Sequence, residues 1–169
     1  DGAFSARSTV NGNAGSAAWH TLAQPESNLY YTARFKAISH TGQVNLMRLR
    51  NGTLSSGAIA SLALSTTNKL TLRNDAAGST AATTLTSTVS AATGAWHTLQ
   101  LHAQVNGASS VLEVWLDGNP VPELGVTEDL GTNPVAKIEL GDPGSTTSSK
   151  TFDVAYDEVA YDREFIGDL

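Results

Sequence analysis

Two strongly alternating segments near the middle of the chain constrain its fold more than any other feature. Residues 97–105 read HTLQLHAQV and residues 111–118 read VLEVWLDG, and a short polar loop around Asn106-Gly107 joins them. Alternation with a period of two is typical of strands in a sheet that has one buried face and one solvated face. The residues expected to point inward are Leu99, Leu101, Ala103, Val105, Leu112, Val114 and Leu116. The residues expected on the solvated face are Thr98, Gln100, His102, Gln104, Glu113, Trp115 and Asp117.

Composition argues against several classes of protein. The formal net charge is -6 and no basic run occurs, so we expect no nucleic-acid partner. The chain contains no cysteine, which excludes disulfides, thiolate metal sites and cysteine nucleophiles. No stretch approaches the ~18 apolar residues of a membrane span, so we expect no membrane insertion. Only 15% of the residues are charged, and such a neutral, polar surface is common in extracellular β-proteins.

The length of 169 residues predicts a single domain over residues 1–169 with a full core. The chain begins at Asp1 and shows no signal peptide. We therefore interpret it as a domain excised from a larger protein. The sequence leaves its oligomeric state open.

Strand patterns recur along the rest of the chain, whereas the periodicity of an amphipathic helix is absent. Alternation runs through residues 31–37, residues 44–49 form a short strand, and residues 136–140 give another inward row. The pattern gives roughly eleven to thirteen short strands, spaced as in all-β sandwiches. We predict a two-sheet antiparallel β-sandwich. Because Trp19, Tyr30 and Trp96 lie near the starts of strands, core positions are favoured for them.

The last strand changes phase near its middle. Phe152, Val154 and Tyr156 share one phase, whereas Val159 and Tyr161 have the opposite phase. A slip of one residue at 157–158 indicates a β-bulge, a feature that re-aims side chains. The alternative is a strand with both faces buried between two sheets.

Three segments in order resemble the laminin G-like or concanavalin A-like jelly-roll superfamily, and more narrowly the domains of large secreted bacterial proteins. They are the strand entry GAWHTL at 94–99, the hairpin VWLDG at 114–118 and the closing strand FDVAYDEVAY at 152–161. The resemblance covers about residues 29 to 166. It implies two antiparallel sheets packed face to face, with the first and last strands side by side. Members commonly bind carbohydrate, sometimes protein, and often carry a structural calcium ion.

The solvated face of the predicted hairpin is a candidate glycan site. An exposed aromatic ring can stack on a sugar while planar polar groups bind the hydroxyls. The residues that fit this pattern are Trp115, Glu113, Gln100, His102 and Gln104, with Tyr30, Arg34 and Arg48 as contributors from other strands. The alternative is that Trp115 covers a neighbouring strand or packs under a loop, since aromatic cross-strand pairs are ordinary sheet stabilisation.

The carboxylates are candidates for a metal site rather than for catalysis. Asp157 occupies the acidic position of the closing strand, where the resemblance implies a calcium ligand, and Asp1 would lie nearby if the first strand pairs with the last. The alternative is that Asp157 caps a turn or accepts backbone N–H bonds. The acidic pairs Glu113/Asp117 and Asp162/Glu164 each lack a third partner, no nucleophile elbow occurs, and His97 belongs to the inward set, so no catalytic group is predicted.

These observations predict a non-catalytic, extracellular or cell-surface binding module, with a glycan or a cell-surface protein as its partner. One alternative is a structural spacer in a large extracellular protein, which the few exposed aromatic residues would favour. The other is a polysaccharide hydrolase or lyase, which would require a cluster of carboxylates on one face.

Overall fold

The computed structural model describes residues 5–12, 14–52, 57–76, 82–144 and 150–167. Within these ranges thirteen β-strands form two antiparallel sheets, and the helical structure is a single 3-10 turn at Pro122–Leu124. The seven-stranded sheet contains β1 (Ala6–Gly12), β13 (Lys150–Asp162), β3 (Asn28–His40), β8 (His97–Gln104), β9 (Ser110–Leu116) and β10 (Asn119–Pro120) in that spatial order, with β11 (Val126–Glu128) also paired to β9. The six-stranded sheet contains β2 (Ser16–Glu26), β12 (Val135–Asp142), β4 (Val44–Arg50), β5 (Ala58–Leu64), β6 (Lys69–Asn74) and β7 (Thr84–Ser90).

The core lies between the inner faces of the two sheets, so the predicted all-β sandwich is confirmed. The seven residues predicted to point inward from β8, β9 and the loop between them are all buried. Tyr31 and Phe35 of β3 and Phe152 of β13 are the bulkiest fully buried side chains, and leucines of β4, β5 and β6 face them from the other sheet. No helix in the described ranges has the length and apolar character needed to cross a bilayer.

The strands nearest the two ends of the described chain pair with each other, as the resemblance implies. β1 runs antiparallel to β13, with Ala6 opposite Tyr156 and Gly12 opposite Lys150. The predicted bulge in β13 is also confirmed, because the register with β3 shifts between Asp157 and Ala160. Glu158 takes a left-handed conformation there, with a φ of 46°. The shift returns Tyr161 to the same side of the sheet as Tyr31, its partner in the ladder.

A two-residue turn at Asp117 and Gly118 closes the hairpin between β9 and β10. Both residues have positive φ, 52° and 72°, which is the type I′ geometry that matches the twist of the flanking strands. The Asp117 carboxylate accepts hydrogen bonds from the Thr98 backbone N–H and from Nδ1 of His97. The inward-facing His97 is therefore satisfied by hydrogen bonds at the rim of the core.

Two buried tyrosines of the core differ in their hydrogen bonding, which gives a matched test of stability. The Tyr31 hydroxyl donates to the Glu139 carbonyl at 3.2 Å, whereas the Tyr156 hydroxyl has no partner in the described part of the chain. Burial raises the pKa of both hydroxyls, so both stay neutral. We expect Tyr31→Phe to cost about 1 kcal/mol and Tyr156→Phe to be neutral or stabilising, as measured by urea unfolding. A loss of more than about 1 kcal/mol in Tyr156→Phe would show that its hydroxyl has a partner after all.

Candidate functional site

The outward side chains predicted as a glycan site do come together on the seven-stranded sheet. Ladder partners place His102 beside Tyr30 on one side and Glu113 on the other, and place Gln100 beside Trp115. The His102 ring stacks on the Tyr30 ring with centroids 4.0 Å apart, and the Trp115 ring lies 6.1 Å from that of Tyr30. The sequence therefore identified true neighbours on this face.

This face is only partly solvated: the Glu113 side chain is 46% exposed, whereas Gln100 and His102 are buried, so the prediction of solvent exposure was wrong for those two. Residues 163–167 cross it after β13 ends, and Gln100 and His102 are buried beneath them. Phe165 packs edge-on against Trp115 with a centroid distance of 5.2 Å, and the Ile166 N–H donates to Oε1 of Gln100. The cavity that remains between Trp115 and Phe165 measures about 10 Å³. A sugar ring cannot enter it.

Hydrogen bonds hold this crossing segment in place. Nδ1 of His102 lies 2.8 Å from the Glu113 carboxylate, and Nε2 lies 2.8 Å from Oδ1 of Asn28. The Asn28 amide in turn donates to the Arg163 carbonyl. The predicted constellation thus contacts the chain's own C-terminal segment, as in the alternative in which Trp115 packs under a loop, and glycan binding at these residues stays a prediction.

The two predicted arginines differ in position. Arg34 lies on the same face of β3, with Thr98 as its ladder partner, where it pairs with Glu158 at 3.2 Å and its guanidinium lies over the Trp96 ring. Arg48 belongs to β4, on the outer face of the other sheet, and does not join the cluster. Trp96 and Trp19, expected in the core, are 38% and 55% exposed, so that expectation was wrong for both.

Trp19 begins a row of side chains that crosses the outer face of the six-stranded sheet. Ladder partners run from Trp19 on β2 to Glu139 on β12, then to Arg48 on β4, Ser61 on β5 and Arg73 on β6. Residues that are direct partners in an antiparallel ladder point to the same face. The row therefore spans four strand spacings of ~4.8 Å, or roughly 19 Å.

Two carboxylates and three arginines form a linked set of ion pairs along this row. Glu139 binds Nε of Arg50 at 2.7 Å and lies 3.8 Å from Arg48. Asp75, just after β6, lies 3.8 Å from Arg48 and 3.3 Å from Arg73. Arg48 is thus held loosely between two carboxylates, while Arg50 and Arg73 each bind one of them closely.

Three polar atoms in this set are buried without a hydrogen bond in the described part of the chain. They are Nε of Arg48, Oδ2 of Asp75 and Oε1 of Glu139. Oδ2 of Asp75 lies 3.8 Å from Nε of Arg48, and Oε1 of Glu139 lies 3.8 Å from Nη1 of the same arginine. These distances allow electrostatic attraction but exceed the length of a hydrogen bond. Buried polar groups in folded proteins almost always have partners, so three such atoms together call for an explanation.

An open cavity of about 540 Å³ lies over these residues. Arg48, Arg50 and Asp75 line it, together with Asn51, Asn133 and residues 130–131. A second cavity of about 270 Å³ continues the depression past Glu139 to Trp19. We name the set Trp19, Arg48, Arg50, Asp75 and Glu139 the arginine groove. It is lined by an exposed indole at one end and by charged, planar groups at the other.

The sequence contains part of the signal for this groove. Alternation in β12 places Glu139 opposite in phase to the inward Ile138 and Leu140, and alternation in β4 does the same for Arg48 relative to Leu49. Nothing in a single sequence shows that β12 lies between β2 and β4. Only that strand order brings Trp19, Glu139 and Arg48 into one row.

The predicted metal ligands form no complete site in the described ranges. Asp157 lies at the bulge and its carboxylate accepts the Glu158 backbone N–H at 2.9 Å, which is the turn-capping role weighed as the alternative. Asp1 lies outside the described residues. Among the residues that are described, no three His, Cys, Asp or Glu side chains are grouped to hold an ion. Calcium needs six to eight oxygen ligands, so a calcium ion at Asp157 stays a prediction.

Comparison with known proteins finds similar structures but no similar sequences. The chain matches no family and no curated protein by sequence. In structure it is similar to an endo-β-1,4-glucuronan lyase from the fungus Trichoderma reesei, with a TM-score of 0.61 and 17% identity over 92% of this chain and 78% of the lyase. It is also similar to a heptameric SAP-like pentraxin from Limulus polyphemus, with a TM-score of 0.60 and 11% identity over 92% of this chain and 74% of the pentraxin.

A third similar structure is the binding domain of botulinum neurotoxin DC, solved with rat synaptotagmin II. Its TM-score is 0.65 at 9% identity, and the match covers 96% of this chain and 40% of the toxin domain. The fold is a concanavalin A-like jelly roll. At these identities the likeness concerns the fold alone, because jelly rolls carry many unrelated functions. The function of this jelly roll has to be argued from the arginine groove itself.

Proposed function

We propose that this jelly roll is a glycan-binding module and that its ligand lies along the arginine groove. The observation that carries the proposal is an exposed Trp19 indole beside buried polar atoms that have no partner. A sugar presents apolar C–H surface on the face of its ring and hydroxyls around its edge. The indole matches the first, and the arginines and carboxylates match the second.

Several proteins with similar folds act on or bind carbohydrate, which supports this proposal. They include the glucuronan lyase, a sialidase from Trypanosoma rangeli and a botulinum neurotoxin of type C whose cell entry depends on two ganglioside molecules. Their chemistry belongs to those proteins. For this chain we propose binding without catalysis, because both groove carboxylates are held by arginines and no histidine or tyrosine is among the described residues that line the two cavities.

We expect Trp19→Ala to weaken glycan binding strongly while leaving the fold intact. Loss of an aromatic anchor costs about 2 kcal/mol or more at a binding site, which is roughly 30-fold in Kd. The measurement is isothermal titration calorimetry against soluble polysaccharides, preceded by a screen for ligands that raise the unfolding midpoint. Because Trp19 is already half exposed, its removal leaves no internal cavity.

Trp96→Ala is the matched control, because Trp96 is also exposed but belongs to the seven-stranded sheet side of the molecule. We expect this variant to bind like the unaltered domain. Equal losses in both variants would contradict a ligand in the groove. If no glycan shifts the unfolding midpoint or gives heat, the structural-spacer alternative replaces our proposal. The extracellular location and the cell-surface setting stay predictions.

A further inference from the structure

The unpartnered atoms of the groove differ in hydrogen-bonding character, and this difference constrains the ligand. Oδ2 of Asp75 and Oε1 of Glu139 are carboxylate oxygens, which only accept hydrogen bonds. Nε of Arg48 only donates. A ligand that satisfies all three must bring two donors and at least one acceptor to the same place.

From this arrangement we infer that the groove selects a neutral, hydroxyl-rich sugar over an acidic one. The inference rests on the proposed function and names the ligand class for the same site. A hydroxyl both donates and accepts, so a hydroxyl between Arg48 and either carboxylate satisfies both sides of a loose ion pair. A uronate carboxylate or a sulfate accepts from Arg48 but offers nothing to Asp75 or Glu139.

Charge at the centre of the groove leads to the same conclusion. Arg48 already has two carboxylates within 3.8 Å, whereas Arg50 and Arg73 are engaged closely by Glu139 and Asp75. The linked set carries three positive and two negative charges, but Arg50 and Arg73 are each paired with a carboxylate, and the groups nearest to Arg48 are those two carboxylates. An anionic group on Arg48 would therefore lie next to both of them, at a place where burial weakens screening. A neutral ligand avoids this repulsion. It also keeps both ion pairs, now bridged by its hydroxyls.

Arg48 is the most exposed of the four charged residues in the arginine groove. Its side chain is 15% exposed and lines the larger cavity, whereas the Glu139 side chain is only 2% exposed. Because no short hydrogen bond fixes its Nε, Arg48 can adjust by a small movement as a hydroxyl enters. We therefore assign the central specificity contacts to Arg48, Asp75 and Glu139, and the stacking contact to Trp19.

The test uses pairs of oligosaccharides that differ only at C6, where one member carries a hydroxymethyl group and the other a carboxylate. β-1,4-linked glucan and glucuronan, mannan and mannuronan, and α-1,4-linked galactan and galacturonan oligomers supply three such pairs. We expect the neutral member of at least one pair to bind at least about tenfold more tightly than its acidic partner. We also expect its Kd to change less than about twofold between roughly 0.05 M and 0.5 M NaCl, since no net charge is paired on binding.

Variants of the carboxylates complete the test. Glu139→Gln and Asp75→Asn each replace one acceptor oxygen by an amide donor, so we expect each to weaken binding of the neutral sugar about tenfold. Asp75→Asn lies just after β6 and provides a second test if Glu139→Gln fails to fold. Glu158→Gln is the matched control, since Glu158 also pairs with an arginine but lies in β13 of the other sheet.

The possible results separate this inference from the proposed function. Tighter binding of an acidic member, or a gain in affinity when a carboxylate is neutralised, would overturn the choice of a neutral sugar while keeping a glycan site that depends on Trp19. If no member of any pair binds the unaltered domain, the glycan-binding proposal fails and this inference fails with it. Equal losses in Glu158→Gln and Glu139→Gln would show that the effect does not come from the groove.

Discussion

Replacing Lys150 with Met is expected to destabilise the domain by about 3–5 kcal/mol, because it leaves a buried carboxylate without its counter-ion. Asp142 is completely buried, and its Oδ2 accepts a hydrogen bond from Lys150 Nζ at 2.6 Å. Backbone N–H groups of Asn45 and Gly144 satisfy the rest of the carboxylate, and Lys150 Nζ also donates to the Gln43 carbonyl. Urea unfolding monitored by circular dichroism measures the loss.

Lys36→Met is the control for the loss of a lysine. Lys36 is half-buried on β3, and no carboxylate within ion-pair distance of it is found in the described part of the chain. We expect this variant to stay within about 0.5 kcal/mol of the unaltered domain. Adding Asp142→Asn to Lys150→Met removes the orphaned charge and should restore part of the lost stability. A loss below about 1 kcal/mol in Lys150→Met would show that the pair is far better solvated than its burial indicates.

Arg50→Met is expected to cost about 3 kcal/mol by the same mechanism at the groove. Glu139 is almost fully buried and would keep only Arg48 at 3.8 Å as a counter-ion. Its close contact with Arg50 Nε at 2.7 Å would be lost. The free energy of unfolding in guanidinium chloride or urea measures the effect, and the salt content of urea samples has to be held constant.

Arg73→Met separates buried from exposed pairs within the same groove. The Arg73 side chain is largely exposed and its contact with Asp75 is longer, at 3.3 Å, so we expect a loss of less than about 1 kcal/mol. Similar losses in Arg50→Met and Arg73→Met would mean that burial of Glu139 does not govern the stability of this face.

The parts of the fold that could be predicted are those that depend on local periodicity. Leu99, Leu101 and Ala103 are buried because a period of two places them on one face, and the same rule exposed the phase slip at Asp157 and Glu158. The pattern that assigns a side chain to a face does not show what covers that face. Gln100 and His102 point away from the core as predicted, yet residues 163–167 bury them.

The groove could not be predicted because it depends on contacts between distant parts of the chain. Arg50 and Glu139 are 89 residues apart, and they meet because β12 inserts between β2 and β4. The position of Trp19 near the start of a strand predicts a core residue. Trp19 instead points to the outer face of β2, an edge strand, and its indole is exposed. Burial of an aromatic residue depends on the face it occupies and on its strand's place in the sheet, and local sequence does not encode the strand order.

At the bulge in β13, a deletion would disturb the sheet more than a substitution would. Two residues of β13, Glu158 and Val159, stand opposite the single residue Ala33 of β3. A deletion of either would exchange the faces of Ala160, Tyr161 and Asp162, and would send residues 163–167 off the wrong side of the sheet. Substitutions there change one side chain only. In homologous chains Val159 should therefore tolerate varied residues, the left-handed Glu158 should be replaced mainly by residues without a β-branch, and neither position should tolerate a gap, which makes the bulge an anchor for sequence alignment.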